Sequence, residues 1–92
     1  MTNQQLIDYL TEKTKLPKRD VLRVMKTFTE TTMARVSRGE KVGLTGFGVF
    51  YLGQRSERQG RNPQTGELIK IPSMPMPGFR AGKSFKERVR GE

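Results

Sequence analysis

Four basic side chains and one proline carry the clearest chemistry in this sequence. Residues 60–66 read Gly-Arg-Asn-Pro-Gln-Thr-Gly, and the basic residues in and around this heptapeptide are Arg55, Arg58, Arg61 and Lys70. Arginine and lysine bind anions, and the planar guanidinium can form paired hydrogen bonds to a phosphate. The whole chain has 18 Lys and Arg against 9 Asp and Glu, a formal net charge of +9 in 92 residues. The expected partner is therefore a polyanion.

The composition excludes several other chemistries. The chain has no Cys and no His, so it lacks the usual zinc ligands, disulfides and His-activated nucleophiles. The carboxylates Asp20, Glu40, Glu57 and Glu67 lie in separate segments, which argues against a carboxylate-dependent nuclease. We therefore predict no catalytic residue, no metal and no cofactor. The longest apolar run, 49–52, is too short to span a membrane, and the first residues show no secretion signal, so we expect a cytoplasmic protein.

Two amphipathic helices precede this basic region. Thr2 and Gln5 have the spacing of a capping box, which predicts a helix over 3–14. Pro17 is placed to start a second helix, which we expect to end with a left-handed cap at Gly39. Its apolar positions are Val21, Val24, Met25, Phe28 and Val36. Together the two segments predict a helical hairpin.

The second half of the chain has the pattern of β-structure. Alternation at Val42 and Leu44, glycines around Phe47 and a run over 49–52 predict a β-hairpin with Phe47 in the core. The glycine spacing is not that of a phosphate-binding loop, because no helix follows it. Residues 53–72 predict a two-stranded ribbon about 30 Å long with its tip at 62–65. A proline-rich extended connector, 74–77, and a short helix from Lys83 complete the chain.

The residues at the tip of the ribbon help to decide whether its arginines only prevent aggregation or bind DNA. Arginines on a solvated edge strand can simply prevent aggregation, and a turn proline can have no further role. However, Pro63 at the end of a basic ribbon is an apolar wedge that can enter a DNA base step and kink the duplex. Arg61 and Asn62 can donate hydrogen bonds to minor-groove acceptors of A·T pairs. Strand alternation places Arg55 and Arg61 on one face and Arg58 on the other, and a ribbon in a groove can use both.

Four blocks of sequence, in this order, are similar to those of one known family. They are Gly-Phe-Gly-Val-Phe at 46–50, Gly-Arg-Asn-Pro-Gln-Thr-Gly-Glu at 60–67, Ile-Pro at 71–72 and Pro-Gly-Phe-Arg-Ala-Gly-Lys at 77–83. Over its whole length the chain resembles the bacterial HU/IHF histone-like DNA-binding proteins, and it is more similar to HU than to IHF. Insertion of a wedge in the minor groove is the mode these architectural proteins use as a class, so the interpretation of Pro63 coincides with the resemblance.

The resemblance implies an α+β fold: a helical hairpin base, a three-stranded antiparallel sheet, a long β-ribbon arm and a short C-terminal helix, in an intertwined dimer. The implied single domain, 1–92, comprises a dimerisation base at 1–46, a DNA-binding arm at 53–75 and the last helix at 83–90. Phe47, Phe50 and Phe79 are implied to form the shared core. The implied DNA contacts are Arg55, Arg58, Arg61, Asn62, Lys70 and the intercalating Pro63 on the arm, with Lys18, Lys41, Arg80, Lys83 and Lys86 on the body.

Three positions depart from the family pattern. Asn3, Gly53 and Pro75 stand where HU proteins commonly have basic residues, which removes charge at the arm root and flank. Lys70 and Arg90 are candidates to compensate for it.

The combined expectation is a histone-like protein of the nucleoid that bends double-stranded DNA with little sequence specificity. Bent, nicked or A·T-rich DNA is expected to bind best, because it costs less to deform. A homodimer is expected, with a heterodimer with a paralogue as the alternative, and no membrane partner is expected. An IHF-like site-specific bending factor and an RNA-binding or ribosome-associated module remain the alternative functions. The RNA module fits less well, since the major groove of A-form RNA is too deep and narrow for side chains to read.

Overall fold

The computed structural model describes residues 1–55, 58–71 and 74–91, with the backbone alone described at 55, 58, 59 and 69–71. Glu57 and Pro72, named above, lie outside the described residues. The elements are α1 (Asn3–Thr14), α2 (Lys18–Ser37), β1 (Val42–Leu44), β2 (Gly48–Arg55), β3 (Arg58–Arg61), β4 (Leu68–Ile71), β5 (Met74–Ala81) and α3 (Lys83–Arg90). The predicted α+β class, with its helices and three-stranded antiparallel sheet, is confirmed.

The ends of the first two helices follow from local hydrogen bonds. The Thr2 hydroxyl oxygen accepts from the Gln5 N–H at 3.2 Å, and the Gln5 side chain accepts from the Thr2 N–H at 2.9 Å, which is the predicted capping box. At the other end of the hairpin, the last helical residue of α2 is Ser37, and the left-handed cap lies at Gly39 as predicted. Gly39 has φ +88° and its N–H donates to the Val36 carbonyl, while the Glu40 N–H donates to the Arg35 carbonyl. These paired bonds form a Schellman motif, which ends the helix before its left-handed glycine.

Residues 1–34 and 35–92 form two compact units. In the first, Ile7 and Val21 are buried, whereas Val24 is 63% exposed despite its place in the apolar pattern. Leu22 is 45% exposed as well. In the second unit Val36 is buried. The hairpin of one chain therefore leaves a large part of its apolar surface open.

The sheet of the second unit has the strand order β1-β2-β5, with both pairs antiparallel. The predicted hairpin between β1 and β2 is present, and the Phe47 N–H closes its turn by donating to the Leu44 carbonyl at 2.9 Å. Pairing of β2 with β5 runs from Gly48 opposite Ala81 to Arg55 opposite Met74. This long ladder brings Phe50 directly opposite Phe79.

The proline-rich segment 74–77 belongs to β5 and is paired with β2, although the sequence predicted it as a connector between elements. Pro75 lies opposite Gln54 and Pro77 opposite Leu52. Among the described strands β5 is at the edge of its sheet. Residues two apart on a strand direct their backbone nitrogens to the same side, so both prolines fit if that side faces away from β2.

A second two-stranded sheet pairs β3 with β4. Arg55 pairs with Met74, and Arg58 pairs with Ile71. Equal numbers of residues therefore separate the two ladders on the two sides of the ribbon. The two described ladders thus share one pairing offset.

Gly48 provides a test of the packing between β2 and β5. A Cβ atom at this position would lie 2.5 Å from both the Arg80 carbonyl oxygen and the Phe79 Cζ. Because backbone cannot yield cheaply, we expect Gly48→Ala to lower the free energy of unfolding by about 1–3 kcal/mol. Urea unfolding followed by circular dichroism at fixed protein concentration measures this change.

Gly43→Ala is the matched control. Its Cβ would meet only the Val49 Cγ2, at an ordinary 3.7 Å. Equal loss of stability in the two variants would contradict the close approach at Gly48.

Candidate nucleic-acid interface

The tip of the ribbon is a closed turn built by the backbone and side chain of Asn62. The Asn62 N–H donates to the Glu67 carbonyl at 2.8 Å, and the Gly66 N–H donates to the Asn62 carbonyl at 2.7 Å. The Asn62 Oδ1 accepts from the Gln64 N–H at 2.9 Å. Gly66 has φ +74°, a conformation that L side chains rarely adopt. These bonds fix the three residues in the middle of the turn, Pro63, Gln64 and Thr65.

Pro63 is exposed at this turn, as a wedge requires. Arg61, the last residue of β3, is exposed and pairs through its backbone with Leu68. The structure adds one detail about Asn62 that the sequence did not predict. Its side-chain oxygen is engaged within the turn, so the amide NH₂ is the part of this side chain suited to contact an acceptor on a ligand.

The other predicted arm cations are placed by the backbone only. Arg55 ends β2, Arg58 begins β3 and Lys70 lies in β4 opposite Gln59. Their side chains lie outside the part of the structure that is described. The three residues are thus spread over three strands of the ribbon.

An aromatic cluster anchors the last helix on the sheet. Phe79 lies at the centre, with ring centroids 5.1 Å from Phe47 and 4.9 Å from Phe50. The predicted core trio is thus held together through Phe79, but the structure adds Phe85 of α3, whose ring stacks on Phe47 at 5.4 Å. Phe85 was missed as a core residue; the signal was its place on the apolar side of α3. The Gly82 N–H, which donates to the Phe47 carbonyl at 2.8 Å, fixes the start of this helix.

The face of α3 opposite Phe85 is basic. Helical spacing brings Lys83, Lys86 and Arg90 to one side, and all three are exposed. Arg90, which was named above only as a candidate to compensate for lost charge, lies four residues after Lys86 on this side. Lys83 Nζ lies 3.9 Å from the Glu87 carboxylate, an exposed pair that contributes little. Three cations therefore line a side of α3 where a phosphate backbone could lie.

The remaining predicted contacts are divided between the two units. Lys41, just before β1, and Arg80, on β5, are both exposed in the second unit. Lys18, in the first unit, forms an ion pair with Asp8, since its Nζ lies 2.9 Å from the Asp8 Oδ1. Both partners are about half exposed. A phosphate at Lys18 would have to compete with this carboxylate.

Among residues 1–55, 58–71 and 74–91, no group of three or more acidic side chains is arranged to hold a metal ion. No helix in that part of the chain is long and apolar enough to cross a membrane.

Comparison with known proteins identifies the family of this chain. The family model described as bacterial DNA-binding protein matches residues 1–90. The chain is 44% identical over 89 residues to the DNA-binding protein HU of Clostridium pasteurianum, covering 97% of this chain and 98% of that protein. It is 45% identical over 91 residues to the HU protein of Lactococcus lactis, covering 98% and 100%. The chain belongs to the bacterial HU family.

Solved structures of HU proteins share the fold. The HU chain of the Anabaena HU–DNA cocrystal structure matches with a TM-score of 0.93 at 40% identity, with both chains fully covered. HU from Thermotoga maritima matches with a TM-score of 0.68 at 29% identity, over 97% of this chain and 98% of that one. HU proteins are non-enzymatic, architectural DNA-binding proteins, so the prediction that this chain is not an enzyme is confirmed.

Asn62 allows the turn to be tested apart from any ligand. Asn62→Ala removes the acceptor of the Gln64 N–H, whereas Asn62→Asp keeps an acceptor at the same place. A net hydrogen bond is worth about 0.5–1.5 kcal/mol, so hydrogen exchange of the Gln64 amide should accelerate by about two- to tenfold in the alanine variant alone. NMR exchange rates measure this directly. Equal exchange in Asn62→Ala and the wild type would show that the side chain does not hold the turn.

Proposed function

We propose that this HU-family chain binds double-stranded DNA through the minor groove with little sequence specificity and bends it by intercalation of Pro63. The observation that carries the proposal is the tip: an exposed proline on a turn closed by Asn62 and Gly66, at the end of a basic ribbon. A wedge must be held rigidly to unstack a base step, and three hydrogen bonds hold this one. The cocrystal of Anabaena HU with DNA, whose fold this chain shares, supports DNA as the ligand.

In this proposal the segment 53–75 is the DNA-binding arm. Arg61 and the amide group of Asn62 donate to minor-groove acceptors beside the wedge, and the remaining arm cations neutralise phosphates along the groove. Those cations are Arg55, Arg58 and Lys70. Because β3 and β4 pair with the same offset as β2 and β5, the arm can transmit its attachment at β2 and β5 to the inserted proline.

The body contributes affinity by neutralising further phosphates. Lys83 and Lys86, with Arg90, present a basic side of the segment 83–90, and Lys41 and Arg80 lie exposed on the sheet unit. Lys18 joins this set only when DNA displaces it from Asp8. Contacts of this kind carry no sequence information, which is why the proposed specificity is low.

We further propose that the working form is an intertwined homodimer based on residues 1–46. Phe47 is 45% exposed and Phe79 is 39% exposed in the single chain, although both belong to the aromatic cluster. Leu22 and Val24 leave apolar surface open on the helical hairpin. A chain of 92 residues with 33% hydrophobic residues has little else to bury, so a second copy covering these surfaces is the simplest remedy.

The proposed cellular role is to shape DNA in the nucleoid. A kink costs a few kcal/mol of unstacking, so duplexes that are already bent, nicked or rich in A·T steps should bind preferentially. Such a protein compacts DNA wherever the double helix yields easily. It needs no defined site.

Salt dependence tests the phosphate contribution. If about eight phosphates are neutralised, the logarithm of the association constant should fall with the logarithm of salt concentration at a slope of about −7. Fluorescence anisotropy with a nicked duplex at several salt concentrations measures the slope. An affinity that does not change with salt would refute the proposal.

The same titration separates the alternatives. An intact duplex of identical sequence should bind more weakly than the nicked one, and duplex RNA more weakly still. One strongly preferred sequence among unrelated duplexes would instead indicate a site-specific factor. Native mass spectrometry of the complex should find two copies of the 10.5 kDa chain, without any paralogue.

Pro63→Ala tests the wedge. Removal of the prolyl ring abolishes the kink but also saves the unstacking cost, so the affinity should fall by less than about tenfold while the bend angle falls strongly. Arg61→Ala, in contrast, should weaken binding and bending together. Energy transfer between dyes at the two ends of a duplex reports the bend.

The matched control is Pro17→Ala, an exposed proline in the turn between α1 and α2. It should leave the bend of saturated complexes unchanged. Equal bending by the wild type and the Pro63 variant would exclude intercalation by this residue.

A further inference from the structure

One face of the three-stranded sheet carries several glycines. Strand register places Gly43, Val49, Tyr51, Gly53, Met76, Gly78 and Arg80 on this face, which we term the glycine-rich face, and the Arg55–Met74 pair continues it; the aromatic cluster lies on the other. Tyr51 lies directly opposite Gly78, and Arg80 lies opposite Val49. Tyr51 is thus the only aromatic side chain on this face of the described sheet, and it has glycine neighbours on two sides.

The Tyr51 ring occupies the space that the two glycines leave free. A Cβ atom at Gly78 would come within 2.7 Å of the Tyr51 Cζ and Oη atoms. On the other edge of the ring, a Cβ at Gly53 would lie 3.2 Å from Tyr51 Cε2. The ring therefore lies down along the sheet surface and does not stand out from it. Any larger residue at position 78 would have to displace it.

This orientation brings the ring to Arg80. The Arg80 Cζ lies 5.4 Å from the centroid of the Tyr51 ring, within the range of a cation–π contact. Tyr51 is half-buried, whereas Arg80 is exposed. An arginine held on a ring before a ligand arrives loses less conformational freedom when it binds, because part of its ordering has already taken place.

Arg80 and Tyr51 share a shallow depression with a second cation. The described residues that line it are Gly39, Lys41, Val49, Tyr51, Leu52 and Arg80. This lining carries two positive charges and no carboxylate. A depression of that composition attracts an anion, and a planar guanidinium beside an ammonium group suits the oxygens of a phosphate.

We propose that Tyr51 is a positioning residue: its ring, lying between Gly53 and Gly78, holds the Arg80 guanidinium beside Lys41, where the two cations bind one phosphate of the DNA backbone. This inference rests on the proposed DNA-binding function and assigns one of its phosphate contacts. Tyr51 itself need not touch DNA. Its contribution passes through Arg80.

A double-mutant cycle on the full chain tests this dependence. Loss of an exposed cation–π contact should weaken binding of a nicked duplex by about two- to fivefold in Tyr51→Leu. Tyr51→Phe keeps the ring and should bind as the wild type does. In an Arg80→Gln background, Tyr51→Leu should cause no further loss, because the group that it positions has gone.

Gly78→Ala provides an independent variant in which Tyr51 and Arg80 are both retained. The added Cβ displaces the ring, so binding should weaken to about the same extent as in Tyr51→Leu. Tyr9→Leu, which alters an exposed tyrosine on α1, is the control and should bind as the wild type does. Circular dichroism and thermal unfolding of each variant identify any loss of fold.

The outcomes separate this inference from the proposed function. If the wild type shows no salt-dependent binding to DNA, the function itself fails. If the wild type binds and Tyr51→Leu weakens binding equally in the wild-type and Arg80→Gln backgrounds, Tyr51 does not act through Arg80 and the inference is overturned. If a Tyr51→Leu variant fails to fold, the comparison of Gly78→Ala with the wild type decides: unchanged affinity there also overturns the inference.

Discussion

The antiparallel pairing of β2 with β5 is the constraint on which most of this structure depends. It sets Phe50 against Phe79 on one face of the sheet and Tyr51 against Gly78 on the other. The β3–β4 ladder below the tip has the same pairing offset. If β2 slipped by one residue, Phe50 would turn away from the cluster and Tyr51 would take its place on that face. The close approach at Gly48 strengthens this register, since only a glycine leaves room there for Phe79 and the Arg80 carbonyl.

Incomplete burial is the second organising feature. The aromatic cluster holds α3 against the sheet, yet two of its rings remain well exposed in the single chain. A larger domain would cover such rings with its own chain, whereas this one has too few apolar residues to do so. The proposed dimer resolves the deficit and at the same time supplies two arms. Stability and function then share one requirement, because part of the surface that needs a partner, the exposed rings of Phe47 and Phe79, belongs to the unit that carries the ribbon.

The sequence predicted features that depend on local chemistry, including the two hairpins, and missed several that depend on contacts between distant segments. The capping box at Thr2 and the turn at 62–65 were readable because short-range hydrogen bonds decide them. Segment 74–77 was interpreted as a connector because proline is rare in strands; its pairing with β2 depends on an edge position that only the folded sheet reveals. Phe85 and Tyr51 were missed for a related reason. Their partners, Phe47 and Arg80, are distant in the sequence, and no local pattern connects them.

Gly53 has a different role in the folded chain from the one that the sequence suggested. From the sequence it was a lost positive charge at the root of the arm. In the structure it lies beside the Tyr51 ring, where a Cβ atom would make a tight 3.2 Å contact. A basic side chain at position 53 would restore the positive charge. However, it would crowd the Tyr51 ring, which lies against Arg80. With glycine at position 53, the arm root has one flexible cation fewer. The Tyr51 ring has room to hold Arg80 in a defined place. Because ordering a flexible side chain at an interface costs free energy, a positioned arginine can offset the missing residue.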